Sequence, residues 1–264
     1  MNQIISKNVR KLIWSAKQPL TKKPFNSSDI ISDLFVWRNS KHWATFFELI
    51  NIPALFNDES TSQIADLVFF DVDGKLVGSF VVDVKPNIRT TLDLTDFIDV
   101  SYGEYGTFAV FHSETPQMLA NFGSHLAERG YVSYCYKGTE VRSYVHGNLD
   151  AIAKAKNKTY QFLGGSSFLP RSYYLQHELQ VEDAYQIAIV NHSDKPKKIT
   201  LDLESNSGAS VLSRSSLVSP AAVWICSIPP ISEASQRLVI KSHLVMARPL
   251  VFRIQGSKMD AFHG

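Results

Sequence analysis

Apolar and polar positions along this chain alternate in short runs punctuated by Gly, Pro and Asn. A period of two is the signature of strands. Ile64–Val72 and Lys75–Val84 flank Asp73-Gly74, a hairpin turn pair, and Pro86 ends the second strand because it has no ladder donor. Trp43–Ile52, Thr90–Phe97 and the apolar run Gly106–His112 read as further strands. Tyr131–Tyr136 and Glu140–His146 form a hairpin around Lys137-Gly138. The second half repeats the texture in Tyr185–Val190, Lys198–Leu203, Ser210–Val218, Ala222–Ile228, Arg237–Val245 and Leu250–Gln255. Two stretches change period. Met118, Leu119, Phe122 and Leu126 space as a short helix within Thr115–Arg129, closed by Gly130. Leu149–Lys158, polar and rich in alanine, reads as a short helix or linker, and Gly164–Ser167 as a flexible loop.

An internal echo organises these strands. At an offset of 134 residues Leu67 meets Leu201, Gly74 meets Gly208, Val77 meets Val211, Pro86 meets Pro220 and Leu94 meets Ile228. A second echo at an offset of 118 sets Ser124-His125-Leu126 and Gly138 against Ser242-His243-Leu244 and Gly256. A competing alignment puts His112 against Ser242. With a one-residue gap, His146-Gly147 matches His263-Gly264. The expected fold is mostly all-β: tandem duplicated β-sandwich or partly open barrel units with a few short helices. The expected divisions are a basic arm over 1–30, a first β-domain over 31–148, a linker over 149–168 and a second β-domain over 169–264. No βαβ rhythm supports a doubly wound fold.

Composition narrows the setting. The first 28 residues hold Lys7, Arg10, Lys11, Lys17, Lys22 and Lys23 and no acid, which reads as a solvated arm. No run reaches the roughly 18 apolar residues of a membrane span, so a cytoplasmic protein is expected. Cys135 and Cys226 sit in apolar strand text and read as buried thiols, without the CxxC spacing of a zinc site. The DVDGK run has no later oxygen ligands of a calcium loop and reads as a turn. Nucleic-acid binding is not favoured, since the basic residues follow no recognition motif.

The candidate chemistry lies in histidines and aromatics. His112, His146, His177 and His263 are the metal candidates, for a divalent transition metal such as Zn, Mn or Fe, because strands from both halves each contribute one. His177 and Glu178 are the candidate catalytic pair. The ordinary alternative is that these are strand-end and surface histidines. Trp37, Arg38 and His42 in the first half, and Arg171, Tyr173 and Tyr174 in the second, are the candidate ligand-binding groups: rings face sugar C–H groups and arginine grips anions. Packing at the domain seam is the competing account. The leading expectation is therefore a binding or interaction protein recognising a polar small molecule, a glycan or a protein partner at an interdomain groove. A His/Glu-dependent enzyme, a metal-assisted hydrolase or isomerase, is the alternative. A structural or assembly protein, including a homo-oligomer, is the third reading.

Overall fold

The structure is a computed structural model that describes residues 30–52, 54, 62–86, 88–113, 127–147, 149–155, 159–205, 207–231, 237–245 and 248–264. The basic arm, except Ile30, and most of the helix expected over Thr115–Arg129 lie outside the described residues, as does His125.

Strands form nearly all the regular structure, in five four-stranded sheets. Sheet A runs in the order β2 (Phe35–Arg38), β7 (Tyr105–His112), β4 (Gln63–Phe70), β5 (Leu76–Val84). Sheet B runs β10 (Ser143–His146), β9 (Tyr131–Tyr136), β3 (Trp43–Leu49), β6 (Thr90–Asp93). Sheet C runs β13 (Ser166–Tyr174), β18 (Arg237–Leu244), β15 (Lys197–Glu204), β16 (Ser210–Val218). Sheet D runs β20 (Lys258–His263), β19 (Leu250–Gln255), β14 (Ala184–Val190), β17 (Val223–Ile228). Sheet E runs β12 (Tyr160–Phe162), β11 (Ile152–Lys154), β1 (Ile30–Ser32), β8 (Ala127–Glu128), with β1 and β8 parallel. In number and size the sheets match the blades of a five-bladed β-propeller.

The order of sheet A reappears in sheet C with β2, β7, β4 and β5 replaced by β13, β18, β15 and β16. The order of sheet B reappears in sheet D with β10, β9, β3 and β6 replaced by β20, β19, β14 and β17. The hairpins β4–β5 and β15–β16 stand at the offset of the first echo, and their turn glycines share one backbone, with φ 81° at Gly74 and 80° at Gly208. The ladder also chooses between the histidine alignments. Ala65 pairs His112 where Ile199 pairs Ser242, so His112 corresponds to Ser242.

Burial explains why matched strands differ in text. In sheet A, Leu67, Phe69, Phe108 and Val110 enter one core cluster, shared with sheets B and D. Their alternates Val68, Phe70, Ala109 and Phe111 enter another, shared with sheet E. A sheet covered on both faces needs continuous apolar runs. Sheet C is packed on sheet D through Ile199, Leu201 and Leu203. On its other face the carboxylate of Asp202 accepts from Lys241 Nζ at 2.8 Å and from Ser213 Oγ at 2.6 Å. β15 therefore alternates. Sheet D is again covered twice: Ile187 and Ile189 face sheet C, while Ala188, Leu250 and Phe252 join the first cluster. The corresponding face of sheet B, bearing Phe46, Glu48, Tyr131 and Tyr144, enters no cluster among the described residues.

Two local expectations are corrected. The stretch read as helix or linker after Leu149 carries β11, because Ile152 is drawn into the core between sheets A and E and Ala153 into a small cluster with Ile31 and Leu163, and burial outweighs alanine's helix preference. The loop Gly164–Ser167 is not flexible: Gly164 and Gly165 are buried, and a Cβ on Gly164 would lie 2.1 Å from the His192 ring. Ser166 and Ser167 already belong to β13.

Candidate functional site

The two sets of sheets meet along a seam built from specific contacts. A Cβ on Gly74 would lie 1.9 Å from the Pro220 carbonyl oxygen, so the tip of β4–β5 sits directly on the β16–β17 corner, and only glycine fits there. Thr107 Oγ1 donates to the Ala221 carbonyl at 2.5 Å. Arg38, 7% exposed, donates from Nη1 to Gln186 Oε1 at 2.7 Å. Its guanidinium lies 3.4 Å from the Trp43 ring centroid and 4.9 Å from that of Phe252, and these two rings meet edge to face with centroids 5.0 Å apart. Burial lowers its pKa to about 10, far enough above neutrality to leave it a cation, and its Nε has no hydrogen-bond partner.

Outward of Arg38, Trp43 packs on Tyr136 with centroids 4.7 Å apart, and Tyr136 opens into a groove of about 360 Å³. One wall comes from the β9–β10 hairpin (Tyr136, Thr139, Val141), the other from β19–β20 (Arg253, Gln255, Lys258, Asp260). The walls are tied together at both ends. Lys137 Nζ donates to the Gly256 carbonyl at 3.1 Å. Ser143 Oγ accepts from Ala261 N at 2.8 Å and donates to Ala261 O at 3.2 Å. Arg253 Nε donates to Asp183 Oδ2 at 2.5 Å, which raises the Arg253 pKa and fixes the guanidinium in its wall of the groove. Ligand grooves of this kind are concave, partly apolar and carry a few convergent polar groups.

The hairpins also bring together the two strand-end histidines. The rings of His146 and His263 lie 5.5 Å apart, and His263 Nε2 donates to the His146 carbonyl at 2.7 Å. Burial lowers the His263 pKa. Both line a small cavity of about 60 Å³ with Asp33, Tyr134 and His192. The other metal candidates stand apart. His112 Nε2 bonds Glu128 Oε2 at 2.7 Å within sheets A and E. His177 packs its ring on Phe262, at 4.5 Å, and on Tyr185, at 6.0 Å. Among the described residues no group of three or more His, Cys, Asp or Glu side chains is placed to hold a metal ion.

The expected ligand-binding residues divide between locations. Trp37 is buried and donates to the Phe70 carbonyl at 3.0 Å, so it serves the core. His42 is exposed in the turn before Trp43, where its carbonyl accepts from Lys137 N at 2.8 Å. Arg171, Tyr173 and Tyr174 lie on β13, and the two tyrosines line a separate groove of about 380 Å³ with Gln176 and Arg248. Glu178 is exposed beside His177, whose pKa is lowered first by burial and whose Nε2 has no partner. Burial raises both thiol pKa values, which disfavours a cysteine nucleophile. The sequence reading missed Tyr136, Arg253, Lys258 and Asp260. Their signal was the matched hairpin glycines Gly138 and Gly256, with φ 69° and 63°, which mark two tips that lie side by side.

The class these features define is a nearly all-β protein with a groove between two of its hairpins. No protein-family profile matches the chain, and no curated protein matches it. Among solved structures it is similar to a β-glucuronidase from glycoside hydrolase family 2, at 15% identity over 87% of this chain and 23% of that one, with a TM-score of 0.16. It is also similar to a glycosyl hydrolase family 2 member from Bacteroides cellulosilyticus DSM 14838, at 10% identity over 95% of this chain and 30% of that one, with a TM-score of 0.14. The chain thus spans less than a third of either. Likenesses this slight carry no argument about its fold or activity. No described helix is long and apolar enough to cross a membrane.

Proposed function

We propose that this chain is a noncatalytic binding protein that holds a polar small molecule or glycan in the groove between the β9–β10 and β19–β20 hairpins. The observation that carries this reading is the groove itself: about 360 Å³, lined by Tyr136 on one wall and by Arg253, Lys258 and Asp260 on the other. An aromatic ring beside charges of both signs suits a ring-shaped ligand rich in hydroxyls or bearing an acid group. The test is calorimetric titration with neutral oligosaccharides, sugar acids and sugar phosphates. Binding is expected for at least one class, weakened tenfold or more by Tyr136→Ala and by Lys258→Ala. No binding across the panel, or binding indifferent to both substitutions, rejects the groove.

We infer further that the chain is a tandem pair of eight-stranded β-sandwich units, A with B and C with D. The one-for-one strand orders and the common offset of the two hairpins support duplication. Consecutive strands such as β2 and β3, or β13 and β14, fall in different sheets, whereas a propeller blade is filled before the next begins. The enzymatic reading on His177 and Glu178 rests on one observation, the buried Nε2 of His177 without a partner. If it holds, His177→Gln abolishes a turnover that Tyr136→Ala spares.

A further inference from the structure

We propose that β5 is a self-association edge, along which a second copy of this chain adds its own β5 in antiparallel. β5 ends sheet A: β4 bonds one edge, and no strand bonds the other among the described residues. Its sequence, LVGSFVVDV, has no Lys, Arg or Pro. Leu76, Phe80 and Val81 are 50%, 36% and 63% exposed. The irregular pairing with β4 is confined to the turn end, and Gly78–Val84 keep a regular register. The Val84 carbonyl already accepts from Asn51 Nδ2 at 3.1 Å, so the open edge lies before it. A long, regular, apolar edge is a template for pairing with another strand unless something guards it.

The molecule supplies its own comparison. β16 occupies the same place in sheet C and is equally an end strand, but reads SVLSRSSLV. Arg214 stands at its centre among four serines, the kind of charge that blocks edge pairing. β5 lacks that guard and is complementary to itself. Its one charge is Asp83. Two antiparallel copies centred on Phe80 put Asp83 opposite Val77 and Val81 opposite Ser79, so no like charges meet. An antiparallel pair of identical strands closes on a two-fold axis, which gives a dimer and not a fibre. Main-chain bonds supply affinity and the apolar side chains register.

Sedimentation equilibrium of the full chain over a wide concentration range tests this. The wild type is expected to be dimeric, Val81→Lys monomeric with an unchanged circular dichroism spectrum, and Ser215→Lys, at the matching position of β16, dimeric. A wild type that stays monomeric overturns the proposal, whether the edge takes nothing or only a strand of another protein. A dimer that survives Val81→Lys, or one also lost in Ser215→Lys, overturns it equally. Should Val81→Lys fail to fold, hydrogen exchange on the wild type decides: amides of Gly78–Val82 must gain protection as concentration rises, and unchanged protection rejects the edge.

Discussion

The guanidinium of Arg38 lies 3.4 Å from the ring centroid of Trp43 and 4.9 Å from that of Phe252, and no carboxylate pairs with it among the described residues. The cation is held at the seam by ring faces and one amide. Replacing a buried charge with an apolar group of similar shape is often neutral or stabilising. Arg38→Met is therefore expected within about 1 kcal/mol of wild type. Arg38→Ala, which strips the packing of the buried side chain from both rings, should cost about 3 kcal/mol. Urea unfolding of both variants separates packing from charge. Equal losses would mean that the charge itself is needed.

Gly74 and Gly208 share a φ near 80° but not their surroundings. At Gly208 an added Cβ comes no closer than 3.9 Å, to Arg237 Nη2, whereas at Gly74 it strikes backbone of the Pro220–Ala222 corner. Gly208→Ala should cost only the left-handed strain, about 1 kcal/mol. Gly74→Ala should cost more than twice that and loosen the seam. Thermal melts, with exchange of the Ala222 amide, measure both.

His192 is buried with its Nε2–H donated to the Val245 carbonyl at 2.5 Å, and burial lowers its pKa from 6.5 to about 4. The unfolded chain takes up this proton first as pH falls. Stability should accordingly be undiminished by this group above pH 6.5 and decline between 6.5 and about 4, where the loss saturates. The full penalty is about 3 kcal/mol. A stability profile across this window, flattened in His192→Gln, is the expected outcome. An identical slope in the variant would assign the acid loss to other groups.

Ser143 bridges both backbone groups of Ala261 across the two hairpins. Ser143→Ala leaves that amide and carbonyl without their partner, at a cost of about 1–3 kcal/mol. Ala261 should then exchange its amide proton faster than Phe252, deeper in the same sheet. If the groove is the binding site, ligand affinity should fall with it, since one wall is released from the other.

Much of this architecture was legible because its strands repeat a pattern. Ser210–Val218 and Leu250–Gln255 were read with their observed limits, since turn residues bound them and one register suits their burial. The contrast between the DLVFF of β4 and the TLDLE of β15 was on view too: it reports two buried faces against one. The seam was not legible. Arg38 and Gln186 stand 148 residues apart, and nothing local marks either as the other's partner. Sheet E escaped notice because its strands are two or three residues long, too short for a period to register. Pairing His125 with His243 followed letters where the ladder follows burial, which sets His112 against Ser242.

The seam joins unlike surfaces: a face of sheet D, with Ala188, Leu250 and Phe252, covers one side of the pair formed by sheets A and B. Unlike an isologous contact, a heterologous one leaves a further face free, and it closes into a ring or runs on as a filament according to its rotation. On the proposed duplication, the face of sheet B that matches this side of sheet D is the one a further unit would meet. At the positions of Ala188, Phe252 and Leu250 that face carries Glu48, Ser133 and Tyr131. Glu48 is buried there beside Arg89, at 3.2 Å, and accepts from Thr91 at 2.8 Å. A buried carboxylate in place of an alanine methyl makes that face a poor partner for the apolar packing that sheet D supplies.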